Sequence, residues 1–103
     1  MADIAFERIR LEAQSYSEAI ARQFLPYGNR VGDEWVAKNP KRHDRRPGSF
    51  KINLVSGRWA DFATGDAGGD LISLAAYLFD LDQGTAARRL AHMLGVNPED
   101  SGT

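Results

Sequence analysis

The stretch NPKRHDRRPGSFKINLVSGRWADFATGDAGGD, at residues 39–70, decides the fold of this chain. It contains a basic cluster, a run of alternating apolar and polar residues, and a glycine-rich turn. Apolar residues before and after the stretch recur every three or four positions, which is the spacing of a helix. The sequence therefore predicts a small β-hairpin set between helical segments.

Alternation within the stretch predicts that the hairpin begins with a strand at residues 49–55. A half-buried strand buries every second side chain, so the pattern assigns one face to the core and the other to solvent. The exposed face would include Lys51 and Asn53. The core face would consist of Phe50, Ile52 and Leu54.

The returning strand is predicted at residues 58–63, after a two-residue turn at Ser56 and Gly57. Glycine suits such a turn because it adopts positive φ without steric cost. The sequence leaves the register of the two strands open, so either Arg58 or Trp59 joins the exposed face of the first strand. Trp59 is accordingly either a core residue or an exposed ring.

The N-terminal part of the chain predicts a helix followed by a short strand. Apolar residues at helical spacing run from residue 6 to residue 24, with Asp3 as the predicted cap. Ser17 is a place where this helix can divide, because serine competes for backbone hydrogen bonds. Pro26 ends the helix, and residues 34–37 predict a short strand.

Two helices are predicted after the glycine-rich turn. Asp70 is the predicted N-cap of the first, which has a broad apolar face. Asp82 is the predicted N-cap of the second, Gln83–Leu94, and Gly95 ends it. The chain therefore predicts an α+β domain, a short antiparallel sheet flanked by an N-terminal helix and two C-terminal helices.

Composition limits the class of protein. The chain has 103 residues, of which 43% are hydrophobic and 26% charged, as in a small globular domain. It has no cysteine, which excludes disulfides and thiolate metal sites. The first ten residues lack the apolar run of a signal peptide, and no segment approaches the roughly 20 apolar residues of a transmembrane helix. We expect a cytoplasmic protein that does not contact a membrane.

Basic residues are concentrated locally although the formal net charge is −1. Six of the thirteen lysines and arginines lie within residues 38–51, opposed there only by Asp44. Such a cluster is typical of a phosphate-binding patch, and the alternative is a solvated loop. The predicted nucleic-acid-binding residues are Lys41, Arg42, Arg45, Arg46, Lys51, Arg58 and, as a stacking ring, Trp59.

No catalytic site, metal site or cofactor is predicted. The glycine-rich turn lacks the lysine and hydroxyl residue of a phosphate loop, and Asp66 and Asp70 would repel a phosphate. His43 lies in the basic loop and His92 on a helix surface, so neither predicts a nucleophilic triad. An enzyme that holds a divalent ion through Asp61, Asp66 and Asp70 stays open as an alternative.

Residues 39–96 resemble the zinc-ribbon domain, with Cys-His-Cys-Cys ligands, at the N-terminus of bacterial and phage DNA primases. That family shows a Cys-Pro-x-His pair, an Asp-x-x-Pro-Ser-Phe segment, a hairpin, a Cys-Phe-x-Cys-Gly segment and a Gly-Asp entry to a helix. The corresponding segments here are NPKR at 39–42, DRRPGSF at 44–50, DFATG at 61–65 and GD at 69–70.

The resemblance implies a zinc ribbon without zinc. All four ligand positions are changed, and they hold Asn39, Arg42, Asp61 and Thr64. Arginine repels a cation, and asparagine and threonine are poor zinc donors. We expect an ion pair between Arg42 and Asp61 to cross the vacated site, and core packing to replace the stability that zinc supplies.

The resemblance also implies a function. In the family the ribbon helps a primase to engage single-stranded template without itself transferring phosphoryl groups. We therefore expect a module that is not an enzyme and that binds single-stranded DNA in or beside a primase or replication system of a mobile element, phage or plasmid. The alternative is an adaptor that docks on a replication primase or helicase. The predicted regions are a helical lead-in at 1–31, a ribbon-like domain at 32–96 and a flexible tail at 97–103.

Overall fold

The protein has the predicted α+β architecture in a computed structural model, which describes residues 3–41 and 48–100. A five-stranded antiparallel sheet packs against helices, and a two-stranded sheet joins the two ends of the described chain. The described elements in chain order are β1 (Asp3–Ile4), α1 (Phe6–Ser15), α2 (Ser17–Phe24), β2 (Asn29–Val31), β3 (Glu34–Ala37), β4 (Phe50–Asn53), β5 (Trp59–Asp61), β6 (Ala67–Gly68), α3 (Leu71–Phe79), α4 (Gln83–Leu94) and β7 (Glu99–Asp100).

The large sheet is a meander in which each strand pairs antiparallel with the next, in the order β2-β3-β4-β5-β6. The hairpin predicted at residues 49–63 is confirmed as β4 and β5, and the strand predicted at residues 34–37 is confirmed as β3. Strands β2 and β6 were not predicted. Each has only two or three residues, which is too short for an alternating pattern to be recognised.

The register of the hairpin decides which side chains face the helices. Trp59 lies opposite Ile52, so both belong to one face. We call this the inner face, and it carries Trp35, Ala37, Phe50, Ile52, Trp59 and Asp61, all buried. The opposite side is the outer face, which carries Glu34, Val36, Lys51, Asn53 and Ala60, with Arg58 and Phe62 at the two ends of β5.

One hydrophobic cluster connects the inner face to the helices. It contains Ile9 and Ile20 from the predicted lead-in together with Phe50, Leu74 and Leu90 from the predicted ribbon-like domain. Helices α1, α3 and α4 pack on one another within it. The N-terminal helices therefore add core to a sheet that is too small to bury a core by itself.

The hairpin turn has four residues instead of the predicted two. Asn53 N donates to Arg58 O at 2.7 Å, and Gly57 N donates to Asn53 O at 2.8 Å. Asn53 Oδ1 accepts from the backbone N–H groups of Val55 and Ser56, each at 2.9 Å. This side chain closes the longer turn, as asparagine commonly does. The predicted positive φ of Gly57 is confirmed at 82°.

Three predicted helix ends are confirmed and one is corrected. Asp70 and Asp82 cap α3 and α4 by accepting a backbone N–H at 2.8 and 2.7 Å, and Gly95 ends α4 with φ of 71°. Asp3 does not cap α1, because it lies in β1 and Ala5 occupies the N-cap position. None of the helices within residues 3–41 and 48–100 is both long enough and apolar enough to cross a membrane.

The predicted N-terminal helix divides before Ser17, at the predicted position. Helix α1 ends at Ser15 and α2 begins at Ser17, with Tyr16 between them. The Ser17 hydroxyl does not cap α2, because it donates instead to the backbone oxygen of Leu54. This buried hydrogen bond attaches the start of α2 to the end of the hairpin.

Residues 97–103 were predicted as a flexible tail, and the described part of it is paired with the N-terminus. Glu99 lies opposite Ile4 in the antiparallel pair of β1 and β7. Ala5 N donates to Pro98 O at 3.0 Å. The polar composition of this segment gave no sign of the pairing, because the bonds are made by backbone groups that every residue carries.

Candidate nucleic-acid interface

The outer face of the sheet contains an open depression of about 500 Å³. Charged and aromatic side chains border it, and small residues leave its floor accessible. The bordering residues are Glu34, Lys51, Asn53, Arg58 and Phe62, the small residues are Ala60, Ala67, Gly68 and Gly69, and Trp59 contributes the little surface that it exposes. A shallow site of this kind admits a flat group and an extended chain.

Phe62 supplies an exposed aromatic ring at the edge of the depression. Its side chain is 72% exposed, and the Lys51 Nζ atom lies 5.7 Å from the centroid of its ring. Sequence reasoning did not name Phe62 as a site residue. The signal was present, because Phe62 alternates with Ala60 and Arg58 and would share their face once the register is known.

The two cations that border the depression have no acidic partner in the described residues. Lys51 and Arg58 form no ion pair with any residue that the structure describes. Four cations on the helices and in the loop after β3 have acidic partners, in the pairs Arg10–Glu7, Arg22–Glu18, Lys41–Asp80 and Arg88–Glu99. Arg8, Lys38 and Arg89 form no ion pair in the described residues either, but they do not border the depression. The charges of Lys51 and Arg58 are therefore available to a ligand.

Trp59 lies in the core, which resolves the alternative left open by the sequence. Its side chain is 4% exposed, and its ring stacks on Phe50 with centroids 5.7 Å apart. Its Nε1 donates to Ser73 Oγ at 2.9 Å. Gly68 lies directly against the indole, where a Cβ atom would collide with it. Its ring is covered by Phe50 and Tyr77 and leaves only a small surface at the depression, so the prediction that a base stacks on it is corrected.

One further predicted contact that the structure describes, Lys41, does not lie with Lys51 and Arg58. Lys41 lies on the helix side of the sheet, where its Nζ donates to Tyr77 O at 2.7 Å and pairs with Asp80. Its charge is partly used there. Three predicted residues lie outside the described residues and stay predictions, namely Arg42, Arg45 and Arg46.

Three of the four vacated ligand positions, Asn39, Asp61 and Thr64, meet in a partly buried polar cluster. Asn39 Nδ2 donates to Asp61 Oδ2 and to Tyr77 Oη, both at 2.8 Å, and neither Asn39 nor Asp61 has exposed surface. Tyr77 Oη donates to Asp66 Oδ2 at 2.8 Å. Thr64 Oγ1 donates to the same oxygen at 3.1 Å. We call these five residues the polar cluster.

The polar cluster fixes the protonation of its tyrosine. Burial raises the pKa of Tyr77 above its ordinary value, and the hydrogen bond to the Asp66 carboxylate adds to the rise, while the Asn39 amide acts in the opposite direction. The hydroxyl therefore keeps its proton to a higher pH than that of an exposed tyrosine. It donates to Asp66 and accepts from Asn39, so both ends of the bond network are satisfied.

The donor chemistry of the polar cluster does not fit a zinc ion. The chain supplies no thiolate, and Asn39 and Thr64 use their side chains as hydrogen-bond donors to carboxylates. Arg42 and its predicted ion pair with Asp61 lie outside the described residues. In the described ranges no three or more histidine, aspartate or glutamate side chains form a group that could hold a metal ion, and Asp70 caps a helix instead.

Comparison with known proteins identifies the fold. No family model matches the chain, and no curated protein matches it. Among solved structures, it is similar to the Aquifex aeolicus primase, in a crystal structure of the zinc binding and RNA polymerase domains, with a TM-score of 0.76 and 22% identity. The match covers 92% of this chain and 22% of that chain. The chain therefore has a primase-like fold, as the resemblance predicted.

Proposed function

We propose that the protein binds single-stranded DNA through the outer face of its sheet. One observation carries this proposal. Lys51 and Arg58 reach the open depression without acidic partners in the described chain, and the exposed ring of Phe62 borders the same depression. Sites for single-stranded nucleic acid combine these two elements, cations that contact phosphates and aromatic rings on which bases stack.

The distribution of charge supports a local interface. With a formal net charge of −1, the chain as a whole does not attract a polyanion. Paired cations on the helices are neutralised by their neighbours, whereas Lys51 and Arg58 are not. Binding would therefore be centred on the outer face, and the part of its salt dependence that these two side chains contribute should report the few phosphates they contact.

The primase-like fold supports a role in replication. In this proposal the protein acts in or beside a primase or replication system of a mobile element, as a template-binding module without catalytic activity of its own. The polar cluster takes the structural place of the family's zinc. Treatment with a chelator should then leave the free energy of unfolding unchanged, and a loss of stability would show that a metal contributes to the fold.

Fluorescence anisotropy with a labelled single-stranded oligonucleotide, over a series of salt concentrations, tests the proposal. Replacing both Lys51 and Arg58 by glutamine should weaken binding and reduce the slope of log K against log salt by about 1.4, because two phosphate contacts are lost. The matched control replaces Arg10 and Arg88 by glutamine, which changes the net charge equally on the helix side. This control should bind like the wild type.

Two results would contradict the proposal. One is the absence of binding at low salt, and the other is an equal loss of affinity in the two double variants, which would mean that net charge alone matters. The sequence-based prediction for the basic loop is tested in the same assay. Arg45→Ala combined with Arg46→Ala should weaken binding further if that loop also contacts phosphates.

An apolar groove favours a second candidate function, docking on a replication primase or helicase. The groove has a volume of about 450 Å³ and is bordered by Phe24, Pro26, Lys38 and Tyr27, whose side chain is 95% exposed. In the Aquifex primase, the chain with this fold also contains an RNA polymerase domain. A pull-down of a purified primase in the absence of DNA, lost in Tyr27→Ser and retained when Lys51 and Arg58 are replaced, would support this candidate.

A further inference from the structure

The depression on the outer face contains one acid, Glu34, among its bordering residues. Glu34 is half-buried on β3, and its carboxylate forms no hydrogen bond or ion pair with any residue in ranges 3–41 and 48–100. Lys51 and Arg58 border the same depression and leave it unpaired. A carboxylate at this place repels phosphates, and it can accept a hydrogen bond from a ligand that offers a donor.

The strand register fixes the separation of the backbone positions of Glu34 and Arg58. Glu34 lies opposite Asn53 on β4, and Asn53 is joined by a backbone hydrogen bond of 2.7 Å to Arg58. These three residues form a row across the sheet. Two strand spacings separate its ends, which is about 10 Å. This is comparable to the extent of one nucleotide from its phosphate to the far edge of its base.

Asn53, the middle residue of that row, does not compete with Glu34 for a hydrogen bond to the base. Asn53 Oδ1 accepts two backbone N–H groups of the hairpin turn, so it is committed to the fold. Phe62 lies four residues along the chain from Arg58, at about 13 Å in extended conformation. A strand whose phosphate contacts Arg58 can therefore extend a neighbouring base towards Phe62 while one base edge reaches Glu34.

We propose, on the basis of the proposed function, that Glu34 determines which base the outer face accepts. Its carboxylate accepts a hydrogen bond from the exocyclic N4 amino group of cytosine, the pairing that glutamate makes with that base. Thymine has a carbonyl oxygen, O4, at the same position, and this oxygen repels the carboxylate. Bases of single strands expose these edges to the protein. The interface therefore selects cytosine over thymine, two bases of nearly equal size.

Binding of labelled oligo(dC) and oligo(dT) of equal length tests this inference. The measurement is made at one salt concentration and at pH 8, where oligo(dC) stays single-stranded. We expect the wild type to bind oligo(dC) about tenfold more tightly than oligo(dT). In Glu34→Gln the ratio should fall to near one, because an amide can donate to thymine O4 as readily as it accepts from cytosine N4. The control Glu12→Gln makes the same charge change on α1 and should keep the wild-type ratio.

Each other outcome overturns the inference in a recognisable way. Equal affinities of the wild type for the two oligonucleotides would overturn base selection and leave the proposed function standing. A uniform increase of both affinities in Glu34→Gln, with an unchanged ratio, would show that Glu34 only repels phosphates. Absence of binding to either oligonucleotide would overturn the proposed function and this inference together.

Discussion

Phe50 and Lys51 are neighbours in the chain and lie on opposite faces of the same sheet. Phe50 is completely buried and stacks on Trp59 of the adjacent strand. Lys51 reaches the open depression, where its ammonium lies 5.7 Å from the ring of the exposed Phe62. Across β4 and β5, the inner face thus pairs two buried aromatic rings, and the outer face pairs a cation with an exposed ring. Substitutions on the inner face should alter folding, and substitutions on the outer face should alter binding.

Polar groups differ between the faces as much as apolar ones do. On the inner side, Asn39 and Asp61 are buried and hydrogen-bonded to each other at 2.8 Å. On the outer side, Lys51, Arg58 and Glu34 have no ion-pair partners in the described chain. A buried polar group must find its partner within the fold, whereas an exposed one remains available to a ligand. The comparison supports the proposed division, in which one face provides stability and the other provides recognition.

The largest expected effect is that of Phe50→Ala on the inner face. Removing this buried ring should lower the free energy of unfolding by about 3–5 kcal/mol, because it takes away the transfer energy of the ring and leaves a cavity beside Trp59 and Tyr77. Urea denaturation measures the change. The matched control is Phe62→Ala, the same truncation on the outer face, which should change stability by no more than about 0.5 kcal/mol. Equal losses in the two variants would break the comparison.

Asn39→Ala should have the next largest effect. It removes a hydrogen-bond donor from the buried Asp61 carboxylate and from Tyr77, and the loss should be about 2–3 kcal/mol of unfolding free energy. Thr64→Ala is its control within the polar cluster, since Thr64 is exposed and bonds only at the edge of the network. If Asn39→Ala were as stable as the wild type, the hydrogen bonds of the polar cluster would not contribute to the stability of the fold.

Phe62→Ala should weaken binding of single-stranded DNA without loss of stability. Stacking of one base on an aromatic ring contributes about 1–3 kcal/mol, so affinity should fall about 5- to 150-fold. Anisotropy titration of the variant measures this loss. Tyr27→Ala, which removes another highly exposed ring far along the sheet from β5, should leave the affinity unchanged. Comparable losses of affinity in the two variants would contradict the proposal that DNA binds at the outer face.

The smallest expected effect is the pH dependence contributed by Tyr77. Its pKa is raised in the folded state, so its contribution to stability is complete below the ordinary pKa of tyrosine, about 10, and is lost as the pH rises through the folded-state value. The wild type should therefore lose more unfolding free energy than Tyr77→Phe between neutral and strongly alkaline pH. Urea midpoints of both proteins at each pH measure the difference. Parallel losses would contradict the role given to this hydroxyl.

The inner face of β4 could be predicted from the sequence because Phe50 and Ile52 alternate with polar residues. The face of β5 could not, since Trp59 and Phe62 are both aromatic and either could be buried. Only the register, with Ile52 opposite Trp59, distinguishes them. The roles of the two rings therefore differ from the prediction. Trp59, predicted as a candidate stacking ring, is buried, and Phe62, which was not predicted as a site residue, is exposed.

The other differences between the sequence-based predictions and the structure come from long-range contacts. The approach of Asn39 to Asp61 joins residues that are 22 positions apart, and only the resemblance to a zinc ribbon, in which both positions are ligands, brought them together beforehand. The pairing of β1 with β7 joins the two ends of the described chain through backbone groups alone. Side-chain patterns predict local structure well where a period repeats, and they carry no information about bonds of this kind.

A titration of isotopically labelled protein with single-stranded DNA, followed by amide chemical shifts, tests the division between the faces most directly. We predict that the shifts of Lys51, Ala60, Phe62 and Gly69 change progressively on addition of DNA. Amides of α1 and α4, two helices that do not border the depression, should not move. Changes confined to those helices, or no changes at all at low salt, would contradict the assignment of nucleic-acid binding to the outer face of the sheet.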